Sequence, residues 1–142
     1  MNAPKIEPYL MFSGRCQEAL EFYKSALHAE IGMVMRFRES PDQPPMPLPE
    51  EWNDKVMHSE FTIGESRIMA SDGCPSAMEP IQGVMLSLTM PDEAAAKLTF
   101  ATLVDGGEVL MPIGETFWSP CFGMVKDKFG VGWMITVPET QA

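Results

Sequence analysis

The spacing of hydrophobic and polar positions changes along the chain, and each change marks an element. Glu7-Pro8-Tyr9-Leu10-Met11-Phe12 reads as a first strand, ended by Ser13-Gly14. From Arg15 to Leu27 the apolar residues Cys16, Ala19, Leu20, Tyr23 and Leu27 recur at steps of three and four. That spacing places them on one face of a helix, with Ser13 as its expected cap and His28-Ala29 as its exit. Ile31 to Phe37, rich in Met and Val, predicts a strand. Val56 to Ile63 alternates with period two: Met57, Ser59, Phe61 and Ile63 on one face, Val56, His58, Glu60 and Thr62 on the other. Gly64-Glu65-Ser66 turns the chain, Arg67 to Ser71 returns as a hairpin partner, and Asp72 to Ser76 reads as a loop.

The second half repeats this order. Gly83 to Leu88 is a strand, and Thr89-Met90-Pro91-Asp92-Glu93 is a helix start, with Thr89 as cap and acids where the helix dipole favours them. The helix continues through Phe100 and Val104 to a left-handed stop at Gly106-Gly107. Val109 to Met111 begins another strand, and Phe117 to Val125 with Val131 to Val137 form a hairpin around Asp127-Lys128-Phe129-Gly130. Residues echo as well as elements. Leu20-Glu21-Phe22 falls against Leu98-Thr99-Phe100, and His28-Ala29-Glu30-Ile31 against Gly106-Gly107-Glu108-Val109, both at an offset of 78. Element order and helix exits therefore agree on a duplicated α+β plan, two βαβββ modules at about 5–72 and 81–138 within one domain of 1–142. The alternative is a generic α+β domain with chance similarity. Arg38 to Asp54 stands apart: Pro41, Pro44, Pro45, Pro47 and Pro49 break any period, so a mobile loop is expected there.

Composition narrows the function. With 45% hydrophobic and 21% charged residues over 142 positions, the chain is globular. Lys and Arg total 10 against 20 Asp and Glu, a formal charge of −10. So acidic a surface, with no basic cluster, argues against nucleic acid and against anionic membranes. No apolar run has the length of a membrane span, and no apolar stretch follows Met1-Asn2-Ala3-Pro4-Lys5, so a cytoplasmic protein is expected. Cys16, Cys74 and Cys121 are odd in number and widely spaced, which predicts reduced thiols rather than disulfides or zinc. The 13 methionines suit either an irregular core or an adaptable apolar pocket.

Several stretches resemble a known family. Pro8-Tyr9-Leu10-Met11-Phe12 with Gly14-Arg15-Cys16-Gln17-Glu18-Ala19-Leu20-Glu21-Phe22-Tyr23 looks like the opening of PhnB-like proteins. Val56 to Phe61, Met69 to Asp72, and the closing run Phe122 to Ile135 are similar to that family too. These proteins belong to the vicinal-oxygen-chelate group, with glyoxalase I, extradiol dioxygenases and bleomycin-resistance proteins. The resemblance implies curved mixed sheets around a cleft and a homodimer in which an element can be exchanged between chains; the Pro-rich segment, which joins the second and third strands of its module, is expected to hang at the end of the sheet and cover the cleft edge. It also implies a divalent metal held by His, Glu or Gln. Carried over, those positions fall near Pro8, Met69, Gly83 and Met134, none of which can replace such ligands, so no metal and no other cofactor is expected. Members are often labelled demethylubiquinone methyltransferases. A Rossmann-type methyltransferase needs a Gly-rich strand-to-helix turn, and neither Gly14 nor Gly106-Gly107 supplies one.

Candidate chemistry then rests on few residues. His28, at a helix end, favours the helix dipole. His58 and Glu60 share a strand face, so Glu60 can orient His58 as a general base; a merely solvated pair is the alternative. The expected ligand contacts are Leu10, Met69, Ser71, Met85, Trp118 and Met134, a Met-rich aromatic pocket for a small, partly apolar molecule, or else simply core. Three readings compete: a metal-free small-molecule-binding protein, a lyase- or isomerase-type enzyme using His58 and Glu60 with a metal at other positions, and a dimeric domain that has lost its ligand.

Overall fold

Helix α1, Cys16–Leu27, forms where the three-and-four spacing predicts it, and buries Cys16, Ala19, Leu20, Tyr23, Ala26 and Leu27. The structure is a computed structural model describing residues 3–41, 48–75 and 79–139. The apolar stripe of α1 covers one face of a four-stranded sheet made of β1 (Tyr9–Met11), β2 (Glu30–Arg36), β3 (Val56–Ile63) and β4 (Ser66–Ser71). Tyr23 stacks on Phe61 at 5.9 Å between ring centres, and Phe12 packs beside it at 6.1 Å. The strand order is β1-β4-β3-β2, with β1 parallel to β4 and the other pairs antiparallel. Leu10, Ser59, Phe61, Ile68 and Ala70 are buried on the helix-covered face.

One carboxylate closes this unit. Asp72, only 2% exposed, follows β4. Its Oδ1 accepts from the backbone N–H groups of Gly14 and Cys16, and its Oδ2 from Val56 N–H, each at 2.8 Å. The start of α1 is thus capped from across the sheet. Ser13, expected as the cap, has a left-handed φ of 52° and does not cap; the residue in the N-cap position is Arg15, which makes no side-chain cap bond. A long-range carboxylate satisfies the free N–H groups that a local hydroxyl was expected to take.

The Pro-rich segment is only partly a loop. Positions 42–47, including three of its prolines, lie outside the described residues. Phe37–Glu39 and Glu50–Asp54 are 3-10 turns. The second turn is pinned: Trp52 is buried, donates from Nε1 to the Gly73 carbonyl at 2.9 Å, and rests its ring 3.6 Å from where a Cβ on Gly14 would stand. Lys55 Nζ donates to the Gly14 carbonyl at 2.9 Å. The expected free loop is therefore corrected at Glu50–Asp54, where an indole fastens the chain over the β1–α1 turn.

The second unit repeats the plan with β5 (Met85–Thr89), α2 (Glu93–Val104), β6 (Glu108–Gly114), β7 (Cys121–Lys126) and β8 (Gly132–Val137). Its order is β5-β8-β7-β6, again with the first pair parallel. The chain divides into compact units Met1–Glu79 and Pro80–Ala142, each one βαβββ module of a duplicated α+β fold. Thr89, expected as the cap of α2, is the last residue of β5; Asp92 takes the position and accepts from Ala95 N–H at 2.8 Å. Gly106, at φ +77°, gives the left-handed stop the sequence predicts. α2 buries Ala96, Thr99, Phe100 and Leu103, and Phe100 sits over Gly123, where a Cβ would stand 2.7 Å from its ring and 3.0 Å from Ile113 Cα. Among the described residues no helix is long and apolar enough to cross a membrane.

Two stability measurements check this account. Asp72→Ala strands three N–H groups, those of Cys16 and Val56 buried and that of Gly14 partly so, and denaturant unfolding should show a loss on the order of 3 kcal/mol. A change within 0.5 kcal/mol, the range typical of neutral surface sites, would refute the closing role. Gly123→Ala should cost about 1–3 kcal/mol through overpacking, because backbone lies on one side of the new methyl group. No loss would mean that α2 does not need the bare glycine.

Candidate functional site

In the first unit the pleat divides each strand between the helix-covered face and an open one. Register fixes the open face. Tyr9 lies opposite Met69, Met69 opposite Glu60, and Met11 opposite Ser71. Met35 on β2 lies opposite His58. His58 and Glu60 therefore stand on the face away from Phe61, as their alternation predicts. Leu10 does not: it pairs with Ala70 and is buried on the helix side, while Tyr9 and Met11, about half exposed, take the open face. Placing Leu10 with Met69 is a parity error, because the helix claims the Leu10–Phe12 face of β1. Ser71 is buried, with its hydroxyl donating to the Val56 carbonyl at 3.3 Å and accepting from Gly73 N–H at 2.9 Å.

The polar groups of the open face form one chain. Tyr9 Oη is 2.7 Å from His58 Nδ1, with the two rings 5.5 Å apart and tilted by 41°. His58 Nε2 is 3.3 Å from Glu60 Oε1. Arg67 Nη2 donates to the same Glu60 oxygen, and Arg67 Nη1 reaches Glu7 Oε1 at 3.4 Å. Lys5 Nζ lies 3.5 Å from that Glu7 oxygen, while Glu7 Oε2 is buried without a hydrogen-bond partner. Hydrogen bonds from His58 and Arg67 hold the Glu60 carboxyl below the usual carboxylate range. Burial pushes the Tyr9 phenol up, so it keeps its proton at neutral pH. With Tyr9 donating to Nδ1, the neutral imidazole carries its proton on Nε2 and gives it to Glu60.

Tyr9, Glu7 and Arg67 are the members sequence reading missed. Arg67 had a readable signal, since it stands two residues before Met69 and so shares its face. Glu7 and Tyr9 had none beyond parity, which the apolar neighbours Leu10 and Phe12 obscured.

The second unit has its own open face. Met85, Ser87, Met134 and Thr136 alternate away from buried Trp133 and Ile135, and Ser87 lies opposite Met134. Met124 pairs with Met134, and Met111 with Met124, so thioethers run across three adjacent strands. Trp118 sits in the turn before β7, edge-on to Phe122 at 5.2 Å and to Phe117 at 4.7 Å. That turn is closed by hydrogen bonds: Thr116 N–H donates to the Ser119 carbonyl at 2.9 Å, and the one proton of Ser119 Oγ is shared between the carbonyls of Cys121 and Val137, 2.9 and 2.7 Å away. Leu10, His58, Glu60, Met69 and Ser71 thus belong to one unit, and Met85, Trp118 and Met134 to the other.

Register also corrects two of the positions expected for metal ligands. Tyr9, not Pro8, lies beside Met69; Pro8 precedes β1 and uses its carbonyl to accept from Met69 N–H at 3.0 Å. Ser87, not Gly83, lies against Met134, because Gly83 precedes β5 with φ +78°. A phenol, a hydroxyl and two thioethers do not match the imidazole and carboxylate donors a divalent cation requires, so these residues do not fit a metal. Among the described residues no group of three or more His, Cys, Asp or Glu could hold one. The buried thiols are not activated: burial pushes Cys16 up to about 12 and also raises Cys121.

Comparison with known proteins agrees with this fold. Residues 4–136 match the family model described as 3-demethylubiquinone-9 3-methyltransferase. Protein YjdN of Escherichia coli (strain K12) is 35% identical, covering 96% of this chain and 97% of its own. The crystal structure of protein PA1353 from Pseudomonas aeruginosa is 38% identical with a TM-score of 0.86, covering 97% of this chain and 100% of that one. A putative 3-demethylubiquinone-9 3-methyltransferase, PhnB protein, from Bacillus cereus is 29% identical with a TM-score of 0.76, covering 94% and 99%. Matched over nearly its whole length in sequence and in fold, the chain belongs to the PhnB-like family of the 3-demethylubiquinone-9 3-methyltransferase model and has a glyoxalase/bleomycin-resistance-like fold.

Proposed function

We propose that this protein binds a small, partly apolar molecule, without a metal ion, on the open face that carries Tyr9, His58 and Glu60. One observation carries the reading: the connected chain Tyr9–His58–Glu60–Arg67 stands on a sheet face that no helix of its unit covers. Such a face offers a few fixed polar groups among adaptable apolar ones, here Met11, Met35 and Met69, which is the usual make-up of a small-molecule site. In the second unit Met85, Met134 and Trp118 supply a further apolar face of the same kind. Methyl transfer, which the family model's description names, finds less support. The turn from β1 to α1 presents its N–H groups to Asp72 rather than to a cofactor.

A second reading has its own observation. Both nitrogens of His58 are engaged, one by a phenol and one by a carboxylate, the arrangement general acid–base chemistry uses. In that reading His58 relays a proton and Glu60 holds its orientation. The homodimer belongs to the same proposal. Edge strand β6 exposes Val109, Leu110 and Met111, and a long apolar edge invites cover by a second chain. A cytoplasmic setting fits an odd number of widely spaced cysteines.

A thermal-shift screen of small aromatic acids, phenols and amides tests binding, with His58→Ala and Trp118→Ala alongside. For a compound that stabilises the wild type, His58→Ala should weaken affinity about tenfold, the worth of one hydrogen bond to a polar anchor. Unchanged affinity in both variants would remove the role given to them, and elemental analysis showing one equivalent of metal per chain would remove the metal-free reading. Light scattering at micromolar concentration should give the mass of a dimer; a monomer mass would end that part of the proposal.

A further inference from the structure

We propose that the open face of the first unit selects a monoanionic ligand, a carboxylate or enolate attached to an apolar body, and that Tyr9 hands it a hydrogen bond while His58 takes up a proton. The inference rests on the binding reading above and adds the ligand's charge and the residue that meets it. Tyr9 was not among the expected contacts. Its ring reaches from β1 to His58 on β3, so its hydroxyl ends the chain Tyr9–His58–Glu60–Arg67, with the Ser71 hydroxyl beside it.

The charges nearest the network pair off: Lys5, Arg67, Glu7 and Glu60 sum to zero through their mutual contacts, while Glu30, opposite Thr62 farther along β3, adds one exposed negative charge to the face. Tyr9 carries no charge, and His58 carries none in its neutral form. With His58 neutral, Tyr9 spends its only proton on Nδ1, and its oxygen can only accept from a ligand. An anionic oxygen beside Tyr9 reverses the chain. His58 takes one proton from solvent and donates from Nδ1 to the Tyr9 oxygen. Tyr9 turns its O–H to the anion, and Nε2–H still donates to Glu60. No covalent bond forms or breaks, and the balance is one proton gained per anion bound.

Each neighbour of His58 permits the change. Glu60, held below the usual carboxylate range, is charged and stabilises an imidazolium. Arg67 touches Glu60 rather than His58. Glu7 and Lys5 come before β1 and meet Arg67 and each other. From β2 the residue opposite His58 is Met35, which carries no charge. Met11 and Met69, flanking Tyr9 on β1 and β4, provide thioether contact for the apolar body of the ligand.

Benzoate and its neutral isostere benzamide are the probes, and calorimetry at pH 8 in buffers of different ionisation enthalpy counts the protons. Benzoate should bind with net proton uptake, at least tenfold tighter than benzamide, and its affinity should fall as the pH is raised. Tyr9→Phe keeps the ring but should lose about tenfold in benzoate affinity and most of the proton uptake; Glu60→Gln should keep the fold and reduce the uptake. Benzoate bound without proton uptake, or with uptake unchanged in Tyr9→Phe, overturns the proposal. Benzamide bound as well as benzoate overturns it while leaving the binding reading intact. If neither probe binds and nothing in the wider screen does, the binding reading itself has failed.

Discussion

The Asp72 carboxylate is the contact on which the first unit depends. It reaches the start of α1 through Gly14 and Cys16 and the start of β3 through Val56, and so joins three segments distant in sequence. Its bond to Val56 N–H also sets the phase of β3. In a strand a slip of one residue exchanges the two faces, so whatever fixes Val56 fixes His58 and Glu60 on the open side and Ser59 and Phe61 against the helix. The second unit uses a more local device. Asp127 accepts from Phe129 and Val131 N–H through Oδ1 and from Trp133 Nε1 through Oδ2, holding the β7–β8 turn and one of its largest buried side chains.

Periodicity made most of this fold legible. The α1 stripe, the alternation of β3 and the Gly106 stop follow from spacing and from conformations open to few residue types. The duplication was legible because both halves keep the same order of elements, and the two sheets share one strand order. The caps were not. Asp72 lies 56 residues from Cys16, and no local pattern announces a carboxylate that caps from that distance. Trp52 is hidden likewise, because the prolines around it read as loop while the contacts that order it, a bond to Gly73 and packing on Gly14, come from segments distant in sequence.

The site was half legible for the same reason. Alternation alone puts His58 and Glu60 together, and β4 adds Met69 by register. β1 has only three residues, too few to show a period, so its parity was assigned to Leu10 when the open face belongs to Tyr9. That shift alters the chemistry. A leucine would have left His58 with one polar neighbour, whereas a tyrosine engages its second nitrogen and makes the pair part of a four-residue chain ending at Arg67. The same register replaces the expected metal positions with a phenol, a hydroxyl and two thioethers, and so moves the centre of interest from cation binding to hydrogen bonding.

Tyr9 and Glu60 hold His58 between them on an open sheet face. A long-range proton–nitrogen NMR spectrum of the imidazoles reads that arrangement directly, and only two histidines, His28 and His58, need assignment. At a pH where the ring is neutral, His58 should show the Nε2–H tautomer, with Nδ1 shifted as an acceptor from the Tyr9 phenol, and Tyr9→Phe should remove that shift. A His58 spectrum that matches solvent-exposed His28, with both tautomers exchanging and no response to Tyr9→Phe, would contradict the account.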